Sequence, residues 1–313
     1  MRDAVRHAEP GRRAGFTVPL ALVGPTAAGK TDVSIELARR LGAEILLVDS
    51  MTVYRGMDVG TAKPSPAQRA AVPHHLVDIA EPTEPFGVAR FQELARQAVA
   101  EVRSRRAVPL LVGGSGLYLR AVIDDLRFPG TDAGLRRTLE TEARALGAGP
   151  LHRRLAAFDP GAATKIEPGN ARRTVRALEV AALTGRPFSS YAGEWERYPP
   201  DRVRAAGVAP RSEELRPRIE ARVGRMLDEG LIEEVRELLD RGAGPFLTAS
   251  QAIGYLEAVE HLAGRITLDE VVDRTVRRTR NLARRQLAWF RRDPRIRWFE
   301  SPTAVELEEY FRA

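Results

Sequence analysis

The sequence contains no cysteine, which excludes disulfides, thiolate metal sites and a thiol nucleophile, and fits a protein of the reducing cytoplasm. No stretch approaches the roughly 18 consecutive apolar residues of a membrane span, so no membrane association is expected. The first residues, MRDAVRHAEPGRRAG, are basic with no apolar segment among them. They read as part of a disordered basic arm over residues 1–17 and not as a secretory signal. Lysine is nearly missing: only Lys30, Lys63 and Lys165 occur, every other basic side chain being arginine. Such a bias retains lysine where a compact ammonium is required. His74 and His75 have neither cysteines nor a spaced third ligand beside them, so no metal centre is expected there.

What the chain does have is positive charge. Its 313 residues carry a formal net charge of +7, with 43% hydrophobic and 29% charged residues. That is a soluble globular composition, long enough for a main domain plus an insertion, with a balance that favours a polyanionic partner. Ten arginines lie between Arg274 and Arg297 against the single acid Asp293. The segment reads as a helix that turns Leu282, Leu287 and Trp289 inward and leaves an arginine face free for nucleic-acid phosphates.

Apolar runs that end in glycine or aspartate and feed helices fill the first half. Strands are predicted over 18–23, 44–48 and 108–112, and helices over 30–41, 91–105 and 116–123, the pattern of a parallel sheet covered on both faces. Residues 64–85 read as a long loop. From about Thr131 the strand signal stops: helices are predicted over 133–146, 151–158 and 171–183, broken by proline- and glycine-rich stretches. RVRAAGVAP then returns one strand, followed by helices over 211–229, 231–241, 249–262 and 268–291 and a short strand at RIRWFE. The expected organisation is an α/β core, 18–130 and 199–313, interrupted by a helical insertion at 131–198.

GPTAAGKT follows the first strand and opens the first helix, the context that the G-x-x-x-x-G-K-[ST] phosphate loop requires. Its residues Gly24, Pro25, Thr26, Ala27, Ala28, Gly29, Lys30 and Thr31 can wrap a phosphate in backbone N–H groups at a helix N-terminus. Lys30 would neutralise phosphate oxygens and the Thr31 hydroxyl hold Mg²⁺. The core is therefore expected to be like that of the P-loop NTPases. The motif is that of nucleotide- and ATP-binding proteins, yet a small-molecule phosphate or a diphosphate leaving group would fit the same cradle.

Asp49 closes the second strand in EILLVDSMTVYRGMDVGTAKP. It can be a Mg²⁺ ligand, a base facing an acceptor on the ligand-binding edge of the sheet, or a turn residue. Ser115, in LLVGGSGLYL, stands where a helix cap or a catalytic hydroxyl would stand. RPRIEARVGRM by itself is a basic helix face.

Taken together, GPTAAGKT, DSMTVYRGMDVGTAKP, PHHLVD, GGSGLY, RRTVRALE, RIEAR, QAIGY and TRNLARRQLAWFR closely resemble, in that order, the motifs of the tRNA dimethylallyltransferases, also called tRNA isopentenyltransferases. The resemblance runs from about residue 20 to 300. It implies transfer of the dimethylallyl group of dimethylallyl diphosphate to N6 of adenosine 37, just 3′ of the anticodon, with Mg²⁺. It gives Asp49 and Ser115 catalytic roles, and gives the diphosphate to residues 24–31 with Arg222. It also implies tRNA contacts at Asp49, Ser50, Met51, Thr52, Ser115, Arg136, Arg172, Arg173, Thr174, Val175, Arg176, Gln251, Ala252, Ile253, Gly254, Tyr255 and Leu256, with the insertion gripping the anticodon stem-loop. Two positions depart from the family: Ser115 replaces a threonine and Thr52 a frequent glutamine. A monomer is expected. Three rivals share some of these features: a phosphate-loop kinase for a small metabolite, an enzyme prenylating free adenine nucleotides, and a non-catalytic RNA-binding module.

Overall fold

The computed structural model describes residues 16–243, 249 and 252–313; the expected arm lies outside them but for its last two residues. The chain divides into two compact units. One joins the described residues up to Asp124 with Pro199–Ala313, and the other is Asp125–Tyr198, against the 131–198 drawn from the sequence.

The larger unit begins with β1 (Leu20–Val23), α1 (Lys30–Leu41), β2 (Ala43–Leu47), α2 (Pro66–Ala71), β3 (His74–His75), α3 (Val88–Ser104), β4 (Val108–Gly113) and α4 (Gly116–Ile123). In the smaller unit follow α5 (Ala133–Leu146), α6 (Ala148–Phe158), α7 (Pro160–Lys165), α8 (Ala171–Thr184) and α9 (Ala192–Trp195). The chain returns through β5 (Arg204–Val208), α10 (Ser212–Asp228), α11 (Leu231–Asp240), α12 (Tyr255–Leu262), α13 (Leu268–Phe290), β6 (Ile296–Phe299) and α14 (Ala304–Arg312).

Six strands form one parallel sheet in the order β3-β2-β4-β1-β5-β6. The central β1 is apolar throughout because it is buried on both faces. Ala21 and Val23 enter one core with Phe91, Leu119 and Tyr255, while Leu20 and Leu22 enter the other with Leu37, Leu307 and Phe311. Burying each such leucine contributes about 1.5–3 kcal/mol. Parallel order sends every strand's C-terminal end to one edge, and that edge receives the phosphate loop after β1, Asp49 after β2 and Ser115 after β4.

Several elements differ from the sequence expectation. The supposed loop 64–85 contains α2 and the two-residue β3. The stretch 159–170, read as a break, contains α7. The helix expected from residue 249 starts at Tyr255, and α14 was not foreseen.

The smaller unit has its own core of Leu139, Leu151, Leu155, Ile166, Val175 and Leu178. Side chains cap its helices: Asp132 accepts from Leu135 N–H at 2.7 Å, Asp159 from Ala162 N–H at 2.9 Å and Asn170 from Arg173 N–H at 3.1 Å. Within the larger unit a buried ionic cluster joins Arg120, Asp124, Asp293 and Arg295. Arg295 grips both ends of the excursion. Its Nη1 donates to Asp124 Oδ1 at 2.6 Å, on the outgoing chain, and to the Pro199 carbonyl at 3.2 Å, on the returning chain.

Candidate active site

The phosphate loop is shaped by two unusual backbone conformations. Gly24 has φ +152°, and a Cβ there would lie 2.2 Å from the Val208 carbonyl oxygen, so no side chain fits against β5. Ala27 adopts φ +62°, the left-handed region that a non-glycine residue occupies only at an energetic cost, commonly at a functional site. Lys30 closes the loop on itself, its Nζ donating to the Gly24 and Pro25 carbonyls at 3.0 and 2.7 Å. Burial, then the Arg222 guanidinium, pull the Lys30 ammonium down to about 8, and only Asp49 opposes them. Burial likewise lowers Arg222, against the pull of Asp49. An uncompensated pair of cations beside one carboxylate is an electrostatic seat for an anion.

Asp49 and Ser115 are brought together by the sheet. Asp49 Oδ1 accepts from the Met51 N–H at 2.8 Å, which fixes the carboxylate on its own turn. Ser115 Oγ accepts from the Ser50 N–H at 3.2 Å. Although Ser115 stands at the N-terminus of α4, its hydroxyl makes no capping hydrogen bond; it holds the Asp49 turn instead. A cavity of about 310 Å³ opens here. Among its lining residues are Thr26, Asp49 and Arg222 and the apolar side chains of Met226, Ile253 and Leu282.

The loop DVGTAKP is held by Glu234, which sequence reasoning did not single out, and by Lys63. The Glu234 carboxylate on α11 accepts from the N–H groups of Asp58, Val59 and Gly60 at 2.8, 2.8 and 3.4 Å, and from the Tyr255 hydroxyl at 2.5 Å. Burial and this carboxylate push the Tyr255 hydroxyl far above its ordinary range. Lys63, almost wholly buried, donates to the Tyr54 carbonyl and to Asp58 and Asp78; Asp78 also takes Arg69. The two histidines are spoken for: His74 Nδ1 bonds the Val72 carbonyl and His75 Nε2 meets Glu44. Among the described residues no group of three or more His, Asp or Glu could hold a metal ion.

The expected tRNA contacts divide. Ser50 and Met51 border the cavity, as do Ala252 and Ile253, and Leu256 is exposed. Thr52 is buried, with a hydroxyl that finds no hydrogen bond among the described residues. Gly254 and Tyr255 are buried, and Gln251 lies outside the described residues. In the smaller unit Arg172 and Arg173 are exposed on the first turn of α8, whereas Thr174 and Val175 are buried. Arg136 and Arg176 both pair with the buried Glu179, at 2.6 and 2.7 Å. Burial pushes the Glu179 carboxyl up, but these two arginines and the Asp132 N–H outweigh it and hold it below the usual range. On α13 and just beyond, Arg277, Arg280, Arg284, Arg285, Arg291 and Arg292 are exposed.

The family model "IPP transferase" matches residues 52–293. A tRNA dimethylallyltransferase of Kineococcus radiotolerans is 52% identical over 91% of this chain and 92% of its own length. One of Streptomyces coelicolor is 50% identical, with 92% of each chain covered. Among solved structures, the full-length tRNA isopentenylpyrophosphate transferase of Bacillus halodurans is 41% identical with a TM-score of 0.68, covering 94% of this chain and 95% of its own. A eukaryotic dimethylallyltransferase captured acting on tRNA is 25% identical with a TM-score of 0.74, covering 92% of this chain and 74% of its own. A family model spanning most of the chain, and relatives matching it nearly end to end, agree with the phosphate loop, Asp49 and Arg222 meeting at one cavity: the chain belongs to the IPP transferase family.

Proposed function

We propose that the chain transfers the dimethylallyl group of dimethylallyl diphosphate to N6 of adenosine 37 in tRNA. The observation that carries this reading is one cavity lined by Thr26 of the phosphate loop, Asp49 and Arg222 together with the apolar side chains of Met226, Ile253 and Leu282. The diphosphate takes the loop N–H groups, Lys30 and Arg222. The five-carbon chain takes the wall of Met226, Ile253 and Leu282.

In the reaction the N6 lone pair attacks C1 of the allyl group and forms the C–N bond. The C1–O bond breaks, and its electron pair leaves with the diphosphate. The N6 proton passes to the Asp49 carboxylate, already aimed by the Met51 N–H. Preorganised donors around the leaving group stabilise charge that develops only in the transition state. Ser115 steadies the turn that carries the base. Without the methyl of threonine its hydroxyl is less restricted in rotamer.

The donor set fits Mg²⁺ brought in on the diphosphate. Thr31 offers one hydroxyl at the loop, no all-protein carboxylate cage exists among the described residues, and Mg²⁺ favours sites shared with substrate phosphates. When bound there, the ion would neutralise charge on the departing diphosphate.

The tRNA meets the cavity mouth at Ser50, Met51, Ala252 and Ile253, the exposed arginines of α13 along its backbone, and Arg172 and Arg173 of the smaller unit at the anticodon stem-loop. The target base must leave its stack to bring N6 to Asp49. Buried Thr52 would join the contact only after the turn opens. A tRNA substrate supports a cytoplasmic location.

The test is transfer of radiolabelled prenyl groups from dimethylallyl diphosphate to unmodified tRNA, beside parallel incubations with ATP and AMP. Label on tRNA alone is expected. ATP turnover, or equal labelling of AMP, would overturn the reading in favour of a kinase or a free-nucleotide prenyltransferase.

A further inference from the structure

Gln286 lies in the ARRQLAWFR stretch of α13, and nothing above gives it a task. Its Oε1 accepts from the Thr26 N–H of the phosphate loop at 2.8 Å, across 260 residues of chain. Its Nε2 sits against Gly114, where an added Cβ would come within 2.5 Å of it and within 3.3 Å of the Gly24 carbonyl. One turn further on, Trp289 covers Gly116, where an added Cβ would lie 2.0 Å from its ring. The two glycines that flank Ser115 are therefore the landing places for two side chains of α13. One of those side chains also reaches the phosphate loop and borders the cavity with Asp49 and Arg222.

We infer that Gln286 is a positioning residue for the donor: its amide fixes the Thr26 end of the phosphate loop against the Gly114 turn, so that the loop and the Ser115–Ser50 contact hold one mutual geometry. This rests on the proposed function only in taking the loop as the diphosphate seat. The amide neither gives nor takes a proton in the reaction. It acts through the backbone it holds. A lost hydrogen bond of this kind leaves a loop N–H to find water and lets the cradle relax, which weakens an anion held by several converging N–H groups together.

The experiment measures binding of inorganic diphosphate with Mg²⁺, and separately of unmodified tRNA, to the full chain and to Gln286→Ala and Gln286→Glu. Alanine should weaken diphosphate about ten-fold and leave tRNA within about two-fold. Glutamate can still accept from Thr26 N–H but points a negative charge at the ligand, so at pH 8 it should bind diphosphate more weakly than alanine does. Once protonated it matches glutamine in shape and accepting power, so its deficit relative to alanine should shrink as the pH falls toward 5, over and above the Lys30-linked change that both variants share. Unchanged diphosphate affinity in the alanine variant would overturn the inference, as would tighter binding, a loss confined to tRNA, or a glutamate variant without that additional pH response. Failure of the unsubstituted chain to bind diphosphate would instead remove the seat itself.

Discussion

Raising the pH from 7 to 9 should strip this protein of its hold on diphosphate while leaving its fold in place. The reasoning starts at Lys30, whose ammonium is brought down to about 8 by burial and by Arg222. A lysine lowered in this way is charged below pH 8 and neutral above it, so the anion seat is complete on the acid side and lost on the alkaline side. With a midpoint at 8, the charged fraction falls from about 0.9 at pH 7 to about 0.1 at pH 9, and affinity for a ligand that requires the ammonium falls about ten-fold. The assay is calorimetric titration with a sulfur-bridged allylic diphosphate, which cannot transfer its prenyl group, at fixed free Mg²⁺. Lys30→Arg provides the control, since guanidinium stays charged throughout: its binding should be weaker at pH 7 but flat to pH 9. An unsubstituted chain whose affinity is flat over that range, or that drops only above pH 10, would show that Lys30 is not depressed by burial and by Arg222.

Three further outcomes follow from the same geometry. Asp49→Asn keeps an oxygen to accept from Met51 N–H, so diphosphate affinity should stay within about two-fold while single-turnover transfer falls about 10²–10⁴-fold, the usual worth of a positioned base. Arg222→Ala should raise the diphosphate dissociation constant about 10–150-fold, the range of a charge-assisted hydrogen bond, with tRNA affinity unmoved; a drop in tRNA affinity alone would refute its assignment. Glu234→Ala leaves three backbone donors and the Tyr255 phenol without their acceptor. It should lower stability by about 2–4 kcal/mol in urea denaturation, whereas Glu234→Gln, which keeps an acceptor, should cost less than half of that.

The sequence made the sheet legible because its strands are buried on both faces and so are written in apolar residues without interruption, as LALV and VPLLVG are. It hid β3 because a strand of two histidines has neither pattern nor propensity to announce it. The missed helices were announced, but at their ends. SPAQ at 65–68 and TAVE at 303–306 are capping boxes, and Asp159 with Pro160 is a cap followed by proline at the first helical position. Composition rich in proline and glycine outweighed the first and last of these signals, both before residue 171. In the candidate site, the phosphate loop and Asp49 stood out because each lies within a few residues of its own strand. Glu234 and Gln286 could not, since their partners lie about 175 and 260 residues away and an acid in LIEEVRELL looks like any solvent-facing acid. Ser115 is intermediate: the sequence offered cap or catalyst, and the hydroxyl makes no capping hydrogen bond but accepts from the Ser50 N–H.

One guanidinium, that of Arg295, receives the chain both as it departs at Asp124 and as it comes home at Pro199. The polypeptide leaves and re-enters through a single doorway. A short glycine linker spliced across that doorway in place of residues 125–198 should leave the six-stranded layer assembled, and an appendage of different size could be hung there without shifting the register of any strand.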